Sequence, residues 1–301
     1  MLDPDDLRYF LDVARTRRLV ATAKSLGVTH TTVGRRINAL ERALGSRLFD
    51  RDPSGWVLTD AGHALLVHAE TIESALLAAM EGAAAGGGRL SGTLRIATPD
   101  GFGAFILAPN LADLAHQNPE LDIEIVTATR HDMLATRGFD VAVTLERPSP
   151  RAVDISALAD YRLGLYATPG YLQDHPHINH VPDLHHHTLI GYVDSVLDVP
   201  ALRFLDDVLP GHRTHLQTNN ITGQWNATAA GLGISALPQY IGDLDPRLVR
   251  VLADEVSVQR RYWLVVPCEL QRLARVRAAV ATLRQICAEH RGLISRTGPY
   301  C

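Results

Sequence analysis

Cysteine is scarce in this 301-residue chain: only Cys268, Cys287 and Cys301 occur, odd in number and late in the sequence, so a disulfide-stapled scaffold is excluded. A thiol redox sensor needs paired, exposed sulfurs, and Cys268 closes the apolar run WLVVPC. Long greasy runs are missing too. Nothing approaches the roughly 18 apolar residues of a membrane span, and the acidic start MLDPDDLRYF does not resemble an export signal. No membrane partner is expected, and the expected location is the cytoplasm. Catalytic signatures are also absent: no G-x-S-x-G elbow, Walker loop, H-E-x-x-H pair or dinucleotide fingerprint stands in a working context. GRLSG and GAAAGGG are glycine-rich but lack a following phosphate-binding Lys. No catalytic residue, cofactor or metal is assigned, and an enzyme is not expected. What remains is ordinary globular material, 46% hydrophobic and 21% charged, long enough for two or three domains.

The informative stretch is residues 20 to 51, VATAKSLGVTHTTVGRRINALERALGSRLFDR. Leu7, Phe10, Leu11 and Ala14 make one helical stripe, Leu19, Ala23 and Leu26 a second, and Val33, Ile37, Leu40 and Leu44 a third. Three stripes can close one small core. Gly27 marks a sharp turn, and Thr29 is placed to cap the third helix, leaving His30, Thr31 and Thr32 near its exposed tip. That is the pattern of a helix-turn-helix. From Arg15 to Arg51 nine cations face only Glu41 and Asp50, a net of plus seven inside a chain whose total is −4. A basic island in an acidic protein predicts phosphate contact by that island.

The segment resembles the N-terminal winged helix-turn-helix of LysR-type transcriptional regulators. The resemblance rests on the Ala23 to Leu26 step, the Val33, Arg35 and Ile37 spacing, and above all ALERALGSRLFDR followed by GWVLTDAG. It implies that Thr29, His30, Thr31, Thr32 and Arg35 face DNA, with Arg36, Arg51 and Trp56 as flanking contacts. Arg35 is the expected base reader, since a guanidinium pairs bidentately with guanine. The chain departs from the family in three places. Arg17, Arg18 and Leu19 replace a Gly-Ser-aromatic run, so the second helix loses its usual N-cap; His30 replaces a common Gln, and Gly34 a common Ser. An interior helical Gly costs roughly 1 kcal/mol, with close approach to DNA and simple drift as the two readings of it.

Leu65, Ala69, Ile72, Leu76, Ala79 and Ala83 then recur at a 3.5-residue period, which favours pairing with another helix. A dimerisation helix is expected, closed by a flexible joint at Gly86, Gly87 and Gly88. Packing back on its own domain is the competing reading. The expected division is a winged domain over 1–60, a linker over 61–88 and an effector-binding domain over 93–301.

From Thr93 onward TLRIAT, LDIEIVTA, FDVAVTL, RLGLYAT and YWLVVP read as buried strands alternating with helical segments such as FGAFILAPNLADLAHQ and the terminal LQRLARVRAAVATLRQICAEH. The expected class is α/β with a largely parallel sheet, its ligand beyond the carboxyl ends of strands. The resemblance implies two lobes like those of periplasmic binding proteins, lobe I over about 93–162 and 267–290 and lobe II over about 163–266, with crossovers near Tyr161 to Gly164 and Trp263 to Pro267. By position, Thr98, Asp100, Gly101, Phe102, Arg147, Tyr192, Asn219 and Asn220 are the candidate effector contacts. GLGISALP matches a family signature. A carboxylate at Asp100 would repel acidic effectors unless Arg147 paired with it.

Six histidines in HPHINHVPDLHHH invite a metal reading, but the stretch is interrupted by Pro and has no Cys and no i, i+4 pair. The expected protein is a ligand-responsive regulator that reads an interrupted palindrome in double-stranded DNA as a homodimer or homotetramer. Metal- or redox-responsive versions of it, and a solute-binding protein, are the alternatives.

Overall fold

The computed structural model describes residues 3–52, 55–83, 90–127, 139–149, 153–194 and 199–290. The chain divides into two compact units, Met1–Gly87 and Gly88–Cys301.

In the first unit, helix α1 spans Pro4–Thr16, α2 Leu19–Ser25, and α3 His30–Leu44. Strands β1 (Phe49–Asp52) and β2 (Gly55–Leu58) form an antiparallel wing, and α4 spans Asp60–Ala83. Local chemistry sets each boundary. Asp3 accepts from the Asp5 amide and Pro4 opens α1, whereas Thr29 accepts from the Thr32 amide at the head of α3. Gly45 closes α3 at φ +67°, a left-handed conformation open to glycine. Nothing caps α2: Arg18 stands at its N-cap without a side-chain bond, as the missing Ser implies.

The stripes bury Leu7, Phe10, Leu11, Ala23, Val33, Ile37 and Leu40, joined by Leu48 and Phe49 from the wing. Fully burying a side chain such as Phe10 or Ile37 stabilises by roughly 1.5–3 kcal/mol. Val13, outside the expected stripe, is also fully buried, whereas Leu44 is 40% exposed because α3 ends as it clears the core. Helix α4 serves two surfaces. Leu66 and Ala69 enter this unit's core and Glu73 pairs with Arg15, so the first half packs on its own domain. Further along, Ile72 and Leu76 are 50% and 62% exposed. The glycine joint lies outside the described residues.

The second unit carries a nine-stranded sheet, order β4-β3-β5-β11-β6-β9-β7-β8 with β10 paired to β6. Its strands are β3 Ser91–Thr98, β4 Glu120–Thr127, β5 Val141–Thr144, β6 Val153–Ala167, β7 Leu189–Tyr192, β8 Thr214–Thr218, β9 Ile234–Pro238, β10 Val249–Val251 and β11 Val258–Pro267. Parallel pairing joins β3 to β4 and β5, and β7 to β8 and β9. At the centre the pairing is antiparallel: β11 runs against β5 and β6, and β6 against β9. The largely parallel expectation therefore fails there, because β6 and β11 are the crossovers and must run in opposite senses between lobes. Pairing between them extends from Val258 opposite Leu163 to Pro267 opposite Val153.

The segment expected as one helix from Phe102 is broken. A short α-turn at Asp100–Phe102 runs into a π-turn at Gly103–Leu107, a 3-10 turn at Ala108–Asn110 and a helix at Ala112–Gln117. Pro109 cannot donate within a continuous helix. The terminal helix, Ala274–Glu289, buries Val276, Ala279, Leu283, Ile286 and Cys287. Among the described residues no helix is long and apolar enough to cross a membrane.

Candidate functional site

Two surfaces carry the functional groups, one in each unit. In the first, α3 presents its N-terminal turn outward. Thr29, His30, Thr31 and Arg35 are exposed, and Thr32 is half-buried. The Thr29 hydroxyl meets those of Thr31 and Thr32 at 2.8 and 2.9 Å, holding the tip in one shape. A shallow groove beside it is lined by His30, Thr31, Gly34, Arg35, Asn38 and Arg42. Asn38 and Arg42 were not expected there, although successive steps of three and four, from Arg35 to Asn38 and on to Arg42, place them on the same helical face.

Two flanking arginines differ. Arg51 lies over the Trp56 ring at 4.8 Å, and Trp56 meets Phe49 edge-on at 5.7 Å, which ties the wing to the core. Arg36 instead turns back: its Nη1 donates to Asp3 at 2.9 Å and to Asp6 at 3.1 Å, with its guanidinium over Tyr9. The Asp5 amide, then the Arg36 guanidinium, hold the Asp3 carboxyl below the usual carboxylate range. Arg36 is thus engaged as a structural cation within its own unit.

The wing rests on a tight approach. The Trp56 amide donates to the Arg17 carbonyl at 2.9 Å, and a Cβ on Gly55 would stand 2.4 Å from that oxygen. Arg17 itself takes φ 55°, the left-handed conformation that a glycine would adopt without cost.

In the second unit a cavity opens between the lobes. Asp100, Gly101 and Tyr192 line it, as do Tyr161, Tyr240 and Tyr262. The Tyr240 and Tyr262 hydroxyls are 2.7 Å apart, and the Tyr161 and Tyr262 rings stack at 4.2 Å. Burial pushes all three phenols upward, so they serve as neutral hydrogen-bonding groups.

Asp100 does not wait for Arg147. Its Oδ2 accepts from the Thr222 amide at 3.0 Å and the Thr222 hydroxyl at 2.8 Å, joining one lobe to the helix Ile221–Ala229 of the other. Arg147 lies over the Trp263 ring at 5.5 Å, away from the cavity. The remaining expected contacts have structural tasks. Thr98 is buried and donates to the Pro99 carbonyl, Phe102 is buried edge-on to Tyr262, and Asn220 caps the helix through the Gly223 amide with Asn219 accepting from its side chain. None of these five residues, Arg147 included, lines the cavity. Gln224, Arg203 and His212 line it unannounced, since nothing in their local sequence marks them.

Among the described residues no group of three or more His, Cys, Asp and Glu could hold a metal ion. In the histidine-rich stretch His175 stacks on Tyr171 and His180 pairs with Glu255. Cys268 is exposed, the buried Cys287 thiol is pushed up to about 12 by burial, and Cys301 lies outside the described residues.

Two family models match the chain: "Bacterial regulatory helix-turn-helix protein, lysR family" over residues 4–63 and "LysR substrate binding domain" over residues 87–288. The transcriptional regulator PtxR of Pseudomonas aeruginosa is 27% identical over 291 residues, covering 94% of this chain and 93% of the relative. DmlR of Escherichia coli is 28% identical over 293 residues, 95% of each. Full-length OxyR from Pseudomonas aeruginosa aligns with a TM-score of 0.74 over 99% of both chains at 19% identity. LysG from Corynebacterium glutamicum, solved with bound effector Arg, aligns at 0.67 over 96% of this chain and 99% of that one, also at 19% identity. These two structures share the fold.

Proposed function

The chain belongs to the LysR family of transcriptional regulators, and from that premise we propose that the exposed tip of α3 reads double-stranded DNA while the interlobe cavity receives the effector. It is a regulator and not an enzyme. Thr29, His30, Thr31, Thr32 and Arg35 meet the major groove, with Asn38 and Arg42 continuing the same face, and Arg51 and Trp56 lie beside the backbone. The observation that carries this reading is the exposed Arg35 set in a groove at the tip of α3, within the basic island. Exposed Ile72 and Leu76 on α4 pair two copies, which read an interrupted palindrome in the cytoplasm. Effector control requires a ligand that prefers one lobe arrangement, since equal affinity for both shifts nothing.

The contrast between neighbouring arginines tests the DNA reading. Arg35→Ala should weaken binding to the chain's own promoter region by about tenfold or more, the worth of one bidentate contact. Arg36→Ala should leave affinity within about twofold while lowering stability, because it strips the partner from Asp6. Gel shifts and melting curves give both results, and equal losses of affinity would defeat the assignment. Footprints with and without effector should differ in length; identical footprints would reject the coupling.

A further inference from the structure

The interlobe cavity combines aromatic walls with an excess of acid. Three carboxylates line it, Asp100, Asp194 and Asp206, and Arg203 and His212 are its cationic or titratable counterparts among the described residues. Both already face carboxylates. Arg203 lies 3.4 Å from Asp194 and 3.6 Å from Asp206. His212 contacts the Leu209 carbonyl at 3.1 Å and the Thr214 hydroxyl at 3.2 Å, with Asp206 3.6 Å away. Asp100 is met by the neutral donors of Thr222, with no ion pair to it among the described residues. A carboxylate entering here meets, among the described residues, no cation that is not already facing an acid.

A second observation concerns Gln224. Gln224 is among the residues that line the cavity, it is 1% exposed, and its buried Nε2 makes no hydrogen bond. Buried amide donors are rarely left unmet, since desolvation without a partner is costly. A ligand oxygen would complete it. The tyrosine rings supply flat apolar surface with electron-rich faces, which suits another ring and favours a cation over an anion.

We propose that this cavity takes an aromatic ligand that bears no negative charge and offers an oxygen to the Gln224 amide, and that it discriminates against carboxylates of the same shape. The proposal rests on reading the cavity as the effector site.

Three probes sharing one ring and one phenol oxygen test it on the full-length protein: tyramine, 4-hydroxyphenylacetamide and 4-hydroxyphenylacetate, titrated by calorimetry. Tyramine and the amide should bind at least tenfold more tightly than the acetate. Gln224→Leu should weaken both by about tenfold. Should that variant fold poorly, Asp206→Asn, at an exposed position, should narrow the preference for tyramine over the acetate without loss of stability. The proposal is overturned if the acetate binds as tightly as the others, if none of the three binds at millimolar concentration, or if Gln224→Leu leaves both affinities unchanged and Asp206→Asn leaves the preference unchanged. Promoter footprints run in parallel separate the two layers. Ranked binding that leaves the footprint unchanged upholds the ligand class and defeats the effector reading. A footprint change driven by the acetate from this cavity upholds the effector reading and defeats the ligand class.

Discussion

Arg17 and Gly55 show how much one residue's backbone decides. Arg17 occupies the left-handed region at φ 55° and offers its carbonyl to the Trp56 amide, while Gly55 sits where no side chain fits. Relieving the first should help: Arg17→Gly is expected to stabilise the N-terminal unit by about 1 kcal/mol, read from urea unfolding. Crowding the second should hurt, and Gly55→Ala is expected to cost about 1–3 kcal/mol by the same measurement. His187 adds a pH dependence. Its ring is buried beside Tyr171, and burial first, then His175 and His186, with Asp183 opposing, hold its pKa below the ordinary 6.5. The unfolded chain therefore takes up a proton near 6.5 that the folded one refuses, so stability is full above 6.5 and falls as pH drops towards the folded value. His187→Gln should flatten the fall in stability as pH drops below 6.5; superimposable curves would show that His187 contributes nothing. The uncapped Arg18 was legible in the sequence, because capping is a matter of neighbours. The capture of Arg36 by Asp3 and Asp6 was not, since that ion pair joins residues about thirty positions apart and forms only once α1 and α3 pack.

Elements repeat that division between local and distant causes. Helix α3 was readable to its N-cap, including the unexplained Gly34. A Cβ there meets only the Leu19 Cδ1 at 3.8 Å, so packing within the unit does not demand glycine. Gly34→Ala should raise stability by about 1 kcal/mol through helix propensity. DNA affinity should fall several-fold, because the added methyl stands in the groove beside Arg35. Unchanged affinity in a binding titration would leave Gly34 as drift. Helix α4 carried a 3.5-residue stripe, yet a stripe states only that a face is covered. Ala69 is covered by its own unit, whereas Ile72 and Leu76 remain exposed. Replacing both exposed residues with Glu should lower the mass found by light scattering, and an unchanged mass would remove α4 from the interface. In the sheet, the apolar runs at β3 and β11 announced themselves, but THLQT at β8 alternates towards polar and LIGY at β7 spans only four residues. The first half of β6, VDISALAD, was hidden for the same reason, since its exposed edge needs no apolar side chains.

At the scale of the whole molecule, the family was legible because its most specific signal, the basic helix followed by the wing, is contiguous in sequence. The cavity was legible only at Asp100, Gly101 and Tyr192, because Tyr161, Gln224, Tyr240 and Tyr262 join them from separate strands and helices. The central claim is that a cationic helical tip engages duplex phosphates and bases, and salt reports on it directly. Fluorescence anisotropy of a labelled promoter fragment across a salt series should give log affinity falling linearly with log salt, and Arg35→Ala should weaken binding and make that slope shallower by about one. Affinity indifferent to salt, or an Arg35→Ala line lying on that of the unaltered protein, would contradict the account.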